Sequence, residues 1–259
     1  FLFRIPTSSV YHLSMPSDCS FHKLQQGIAA MAVRRSLPKG IPLTAGQKIF
    51  LTAGSALFGV LDTYRGDLIA TLSETTTPSL LLRSLHARMN MSISGRRLMQ
   101  ERPTIDPTTL NLEELSGLPS NTFGYAYYKF MSSHGYSSED RTPVRFITDP
   151  DHAFLIQRYR QTHDFLHCLS DLPPNLLGEI SLKWFELLQL GLPMCAITGI
   201  GGSLRLSFSQ KRDLVTKFIP WAVRCHRSSE FLLSVYFEEH LEKDLDCFRL
   251  ELGFIKAPS

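Results

Sequence analysis

Between residues 149 and 193 the chain carries helix start and stop signals in an order that constrains it more than any other feature. Asp149-Pro150 opens a helix, because a carboxylate can cap free N–H groups and proline's fixed φ suits the first helical position. That helix should reach about Leu169. Pro173-Pro174 ends the connection, Asn175 caps a second helix running to Leu190, and Gly191 and Pro193 close it. Two helices joined by so few residues must fold back on one another as an antiparallel hairpin. Leu176, Ile180, Phe185 and Leu188 give the second helix its apolar surface.

The remaining turn signals also separate segments of helical rather than alternating periodicity, so the fold reads as mainly α, a single helical domain over 43–259. Residues 43–64 place Ile49, Ala53, Ala56, Leu57 and Val60 on a core-facing stripe. Short helices follow near 67–77 and 80–90, then a polar loop through Gly95, Pro103 and Pro107. A helix capped by Ser120 should run to about Ser133. Ser209 caps another from 210 to 225, broken near Pro220, and an amphipathic helix spans 229–248. Residues 191–202, with Pro193, Gly199, Gly201 and Gly202, read as a lid, a membrane-facing element or a plain helix break.

With 43% hydrophobic and 20% charged residues, the chain can bury a core and is not a disordered polymer. Its longest weakly polar stretches, 49–61 and 192–206, are too short or too interrupted to span a bilayer, which leaves a peripheral membrane role open. A net charge of +3 is too small to argue for nucleic acid. The charge is uneven, however: residues 1–48 hold six basic residues and only Asp18 as an acid. Residues 1–42 therefore read as a mitochondrial transit-like or disordered segment. Five cysteines without CxxC spacing read as reduced, mostly buried thiols.

The chemistry concentrates in His163-Asp164-Phe165-Leu166-His167, an HDxxH motif followed twelve residues later by Glu179. On a helix, with His163 as origin, His167 falls at about 40°, Arg160 at about 60° and Asp164 at about 100°, so all share one face. The Pro173-Pro174 turn lets Glu179 face back across the hairpin, and Gly178 permits close backbone approach. Imidazole nitrogen with carboxylate oxygen suits Zn²⁺ and is compatible with Fe²⁺, Mn²⁺ or another divalent metal. The same residues also fit a hydrogen-bonded polar seam. Four protein ligands suggest a closed site, three an open catalytic one, and Asp164 is then the residue that orients a histidine instead. Arg160 can clamp a substrate carboxylate or pair with Asp164, and Lys183 can pair with Glu179.

These residues, with the stretches Leu118-Pro119, Thr122-Phe123-Gly124, Arg158 through His167, Asn175 through Glu179, Lys183-Trp184-Phe185-Glu186, Gly191 through Cys195, Arg205-Leu206 and Pro220-Trp221, closely resemble the fourth coenzyme Q biosynthesis protein family. Its HDxxH-(x)11-Glu metal motif falls on His163, Asp164, His167 and Glu179. The resemblance implies a mostly helical enzyme of ubiquinone biosynthesis, a carbon-carbon lyase peripheral to the matrix side of the mitochondrial inner membrane. It implies C1-decarboxylation of a 4-hydroxy-3-methoxy-5-polyprenylbenzoate, simple or oxidative with C1-hydroxylation, using His163, Asp164, His167 and Glu179; Arg160, on the same helix face, joins them as the catalytic candidate that positions the carboxylate. Zinc is its implied metal. Implied partners are the polyprenylated substrate, other ubiquinone biosynthesis proteins in a multi-enzyme complex, and the lipid surface, with homo-oligomerisation left open. The competing expectation is a non-catalytic lipid-binding scaffold.

Overall fold

A computed structural model describes residues 40–61 and 65–258, all within one compact unit, 33–259; the transit-like segment up to residue 39, with Cys19, and the side chain of Val60 lie outside what it describes. The described residues are helical, with no strand among them, as the periodicity predicts. In chain order they form α1 (Ala45–Leu61), α2 (Gly66–Thr76), α3 (Ser79–Met89), α4 (Ile93–Glu101), α5 (Leu112–Ser116), α6 (Phe123–His134), α7 (Pro150–Ser170), α8 (Leu176–Leu190), α9 (Pro193–Ser203), α10 (Phe208–Asp213), α11 (Ile219–Ser228) and α12 (Leu245–Glu251).

The α7–α8 hairpin is the axis of the molecule. Asp149 accepts from the backbone N–H of Asp151 and His152, and Asn175 accepts from Gly178, as their side-chain chemistry requires. A Cβ on Gly178 would collide with the Pro173 carbonyl, so only glycine allows α8 to start this close to the turn. Gly191 ends α8 at φ 69°, the left-handed conformation of a helix C-cap. Helices α2, α3 and α6 pack on α7, whereas α9 and α11 pack on α8.

Two apolar clusters hold this arrangement. One is aromatic, with Phe123, Phe165, Phe185, Trp221, Phe237 and Phe248 all at most 1% exposed. The other joins Leu72, Met89 and Leu98 to Phe154 and Leu155 of α7 and to Met194 of α9. Complete burial of each such side chain contributes about 2 kcal/mol against its exposure.

Several expectations are corrected. Helix α1 forms, but the stripe expected to face the core does not: Ile49 is 70% and Leu57 59% exposed. The packed face is the small one, Ser55 and Gly59, because small residues let α1 approach α2 and α9 closely. The break in 191–202 is confined to Gly191 and Leu192, after which Pro193 supplies the first turn of α9, with Met194 and Cys195 fully buried. The polar stretch after Asn90 contains α4, capped by Ser92. Thr122, not Ser120, caps α6, and Ser207, not Ser209, caps α10. The break near Pro220 is a widened π turn, Leu214–Phe218, consistent with a residue that has no N–H to give. The long helix expected over 229–248 shrinks to α12, because Leu232, Leu233 and Phe237 reach the core from short 3₁₀ turns.

Candidate metal centre

His163 and His167 project from one stripe of α7 toward the first turn of α8, where Glu179 faces them. Glu179 Oε2 lies 3.3 Å from His163 Nε2, and its Oε1 lies 3.0 Å from His167 Nε2. Among the described residues these three offer nitrogen and oxygen atoms all within 4.8 Å of one another, and the group could hold a metal ion.

Both imidazoles have a pinned tautomer. His167 Nδ1 lies 2.9 Å from the Leu172 carbonyl, an acceptor, so Nδ1 carries the proton and Nε2 the lone pair. His163 Nδ1 lies 2.6 Å from the Glu186 carboxylate and is protonated for the same reason. With both imidazoles neutral, two lone pairs and a carboxylate thus converge. His167 Nε2 is buried and makes no well-directed hydrogen bond although Glu179 Oε1 lies 3.0 Å away, a costly state for a polar atom unless a cation sits between the two. Atoms bound tetrahedrally about 2.0–2.2 Å from zinc would stand roughly 3.3–3.6 Å apart, near the 3.3 and 3.0 Å that separate the two imidazoles from the oxygens of Glu179. The donor set fits a divalent metal.

The electrostatics agree. Burial and the Lys183 ammonium oppose a charge on His163, but Glu186 and Glu179 outweigh them and raise it to about 9. Burial opposes ionisation of Glu179, yet His167 and His163 hold its carboxyl well below the usual range. The cluster therefore demands a positive charge, from a proton or from a metal.

Asp164 is not in this cluster. Rotated about 100° from His163, it points to α6 and the 137–142 loop, where Arg141 Nη2 donates to it at 2.6 Å. Arg141 also donates to Tyr127 Oη and to the Ile105 carbonyl, so Asp164 orients an arginine rather than a histidine. Arg160 does not pair with Asp164. Its Nη2 donates to Glu74 Oε1 at 2.6 Å, to the Ala70 carbonyl and to Ser73, and its Nη1 to the Thr142 carbonyl. Lys183 pairs with Glu186, at 2.7 Å, instead of Glu179.

A cavity of about 410 Å³ opens beside the cluster, with His163, Glu179, Arg160, Asp164, Lys183 and Tyr159 on its wall. It extends between α1, α2 and α9, where Gly59, Ile69, Met194 and Gly202 line it.

A family model described as coenzyme Q (ubiquinone) biosynthesis protein Coq4 matches residues 37–258. The chain belongs to the Coq4 family. It is 42% identical over 243 residues, 94% of this chain and 89% of the relative, to the mitochondrial ubiquinone biosynthesis protein COQ4 homolog of Bos taurus. With the human COQ4 homolog, also named mitochondrial, it shares 39% over 247 residues, 93% of each. A solved structure from Nostoc punctiforme shares the fold with a TM-score of 0.62 at 21% identity, covering 79% of this chain and 97% of that one.

Within this Coq4 chain the residue that sequence reasoning passed over is Glu186. It is fully buried and accepts from His163, Tyr159 and Lys183, with the Cys195 thiol 3.7 Å away. Burial and this carboxylate push the Cys195 thiol to about 12, so it stays protonated. The signal was present: Glu186 lies seven residues after Glu179, nearly two helical turns, and so on the same stripe of α8.

Proposed function

We propose that this chain acts in ubiquinone biosynthesis as a metal-dependent lyase that removes the C1 carboxyl of a 4-hydroxy-3-methoxy-5-polyprenylbenzoate. The observation carrying this reading is the convergence of His163 Nε2, His167 Nε2 and Glu179, tautomers pinned, on the wall of a cavity large enough for an aromatic head. His163, His167 and Glu179 would hold the metal, with zinc the first choice for this donor set and Fe²⁺ the second. The metal supplies Lewis-acid polarisation and positive charge.

The cavity's own residues explain why that charge matters. Arg141 is matched by Asp164, Arg160 by Glu74 and Lys183 by Glu186. Glu179 is balanced only by the two imidazoles. A divalent cation leaves the cluster positive, which draws in a benzoate, whereas a proton leaves it merely neutral. Arg160 and Lys183 also line the wall, where their N–H groups, already paired with Glu74 and Glu186, would set the direction of that carboxylate rather than its attraction. In the reaction the ring C1 accepts a proton as the bond from C1 to the carboxyl carbon breaks and CO₂ leaves, with the 4-hydroxyl delocalising the positive charge of the protonated ring.

The prenyl tail would follow the cavity toward α1, α2 and α9. There the surface fits a peripheral lipid contact: Ile49, Phe50, Leu57 and Phe58 are all more than half exposed and fall within about half the circumference of α1, a helix with no acidic residue. Among the described residues no helix is long and apolar enough to cross a membrane. Such a surface is in keeping with a place on the matrix face of the mitochondrial inner membrane beside other pathway enzymes.

The test is a single-turnover assay with a short-tailed 4-hydroxy-3-methoxy-5-prenylbenzoate, defined metal, and O₂ present or absent. Anaerobic CO₂ release with a phenol product, abolished in His163→Ala, is expected. O₂-dependent release with a hydroquinone would replace simple by oxidative decarboxylation. Lipid binding without turnover under any metal would leave the scaffold reading.

A further inference from the structure

We infer that Glu186 is the positioning residue of the metal centre, the carboxylate that aims His163 at the ion. This rests on the His163, His167 and Glu179 cluster being the metal site, but not on the reaction proposed for it.

A carboxylate at 0% exposure in the middle of α8 is expensive to bury and persists only if fully bonded. The two oxygens of Glu186 are divided. Oε2 receives Lys183 at 2.7 Å and the Tyr159 hydroxyl at 2.9 Å, with the Cys195 thiol beside it. Oε1 receives His163 Nδ1 at 2.6 Å, the shortest of these contacts. A counter-ion for Lys183 would need only the first oxygen. The second, held in place by everything bonded to the first, fixes the ring of His163 and forces its lone pair onto Nε2, the atom 3.3 Å from Glu179.

The two histidines are thereby made unequal. Leu172 supplies a neutral carbonyl to His167, whereas Glu186 supplies an anion to His163. An imidazole bonded to a carboxylate is the stronger electron donor toward a metal. Lys183 stands 3.5 Å from His163 Nδ1, and Glu186, bonded to the ammonium through Oε2 and to the ring through Oε1, offsets the charge that Lys183 would otherwise set beside a metal ligand.

The experiment measures affinity and spectrum, not turnover. Full-length wild type, Glu186→Gln and the double variant Lys183→Met/Glu186→Gln are titrated with Zn²⁺ against a competing chelator, and the visible absorption of each Co²⁺ form is recorded. The double variant removes both members of the ion pair, so no unpaired buried charge is left to unfold the chain. Expected are a roughly 10- to 100-fold weaker Zn²⁺ affinity and an altered Co²⁺ spectrum in both variants. Wild-type affinity and spectrum in the double variant would overturn the inference and leave Glu186 as a counter-ion for Lys183. Wild-type protein that takes up no metal would overturn the inference and the metal reading together. Metal uptake that depends on Glu186 without CO₂ release would sustain the inference and remove the decarboxylase.

Discussion

Arg141 and Asp164 form a 2.6 Å ion pair in which the arginine also donates to Tyr127 Oη, so the second residue of HDxxH ties the 137–142 loop to α7 and leaves Glu179 to the two histidines. The motif therefore divides its labour. His163 and His167 present lone pairs, while Asp164 builds the wall.

A division of that kind is measurable. Asp164→Asn keeps the shape and one acceptor, and should retain metal within a few-fold of wild type while raising KM for substrate, because the loop it anchors lines the cavity. His167→Ala should lose metal by 100-fold or more, since it removes one of three ligands. Equilibrium dialysis distinguishes them; loss of metal in Asp164→Asn equal to that in His167→Ala would restore Asp164 as a ligand.

Glu74 is 5% exposed and joins α2 to α7 through Arg160, while its Oε2 accepts from the backbone N–H groups of Arg145 and Phe146. Glu74→Ala strands a buried guanidinium and two N–H groups and should cost about 3–5 kcal/mol. A melting temperature lowered by roughly 6 °C or more in calorimetry is the expected reading. Glu74→Ala together with Arg160→Met should recover part of that loss, as no buried charge is then unpaired.

The Asp149 cap gives the hairpin an acid-sensitive end. The hydrogen bond from the His152 backbone N–H, against the opposing effect of burial and with help from the His152 side chain and the Asp151 N–H, holds its carboxyl below the usual range. A group with a lowered folded value contributes stability that is fully present above its unfolded value, about 3.9, and is lost as pH falls through the folded one. Asp149→Ala should cost about 1 kcal/mol at pH 7 and progressively less below about pH 4, measured by urea unfolding.

On α1, Phe50 and Phe58 are 78% and 58% exposed and touch no core. Phe50→Ser with Phe58→Ser should leave the melting temperature within a degree or two, because exposed positions change stability by at most about 0.5 kcal/mol each. The same pair should reduce sedimentation with anionic vesicles several-fold. Unaltered vesicle binding would move the lipid contact elsewhere.

Much of this architecture is local chemistry and so was legible beforehand. Caps, prolines and terminal glycines act within one turn, which is why α7 and α8 fall where Asp149-Pro150, Asn175 and Gly191 place them. The i,i+4 spacing of His163 and His167 and the tight Pro173-Pro174 turn suffice to bring Glu179 across the hairpin. Where expectation and fold part, the deciding contact is distant. A helical stripe says that a face is apolar but not what covers it, hence the exposed side of α1. Residues 229–244 have helical periodicity, but packing Leu232, Leu233 and Phe237 into two separate clusters outweighs the propensity to coil.

Charged partners obey the same limit. Arg160 has Asp164 within one turn and takes Glu74, 86 residues away; Lys183 has two carboxylates within one turn, Glu179 and Glu186, and takes Glu186, the one enclosed with it. By itself the sequence determined α7, α8, the hairpin they form and the approach of His163, His167 and Glu179 at its end, because those depend on backbone capping and on the pitch of a helix; that Asp164 stands apart from them was decided by the fold. Only the tertiary structure decided which carboxylate stands behind His163, which arginine holds Asp164 and which face of α1 meets solvent. Those outcomes turn on desolvation: a buried charge takes the partner enclosed with it, and an apolar stripe is covered only where another surface arrives.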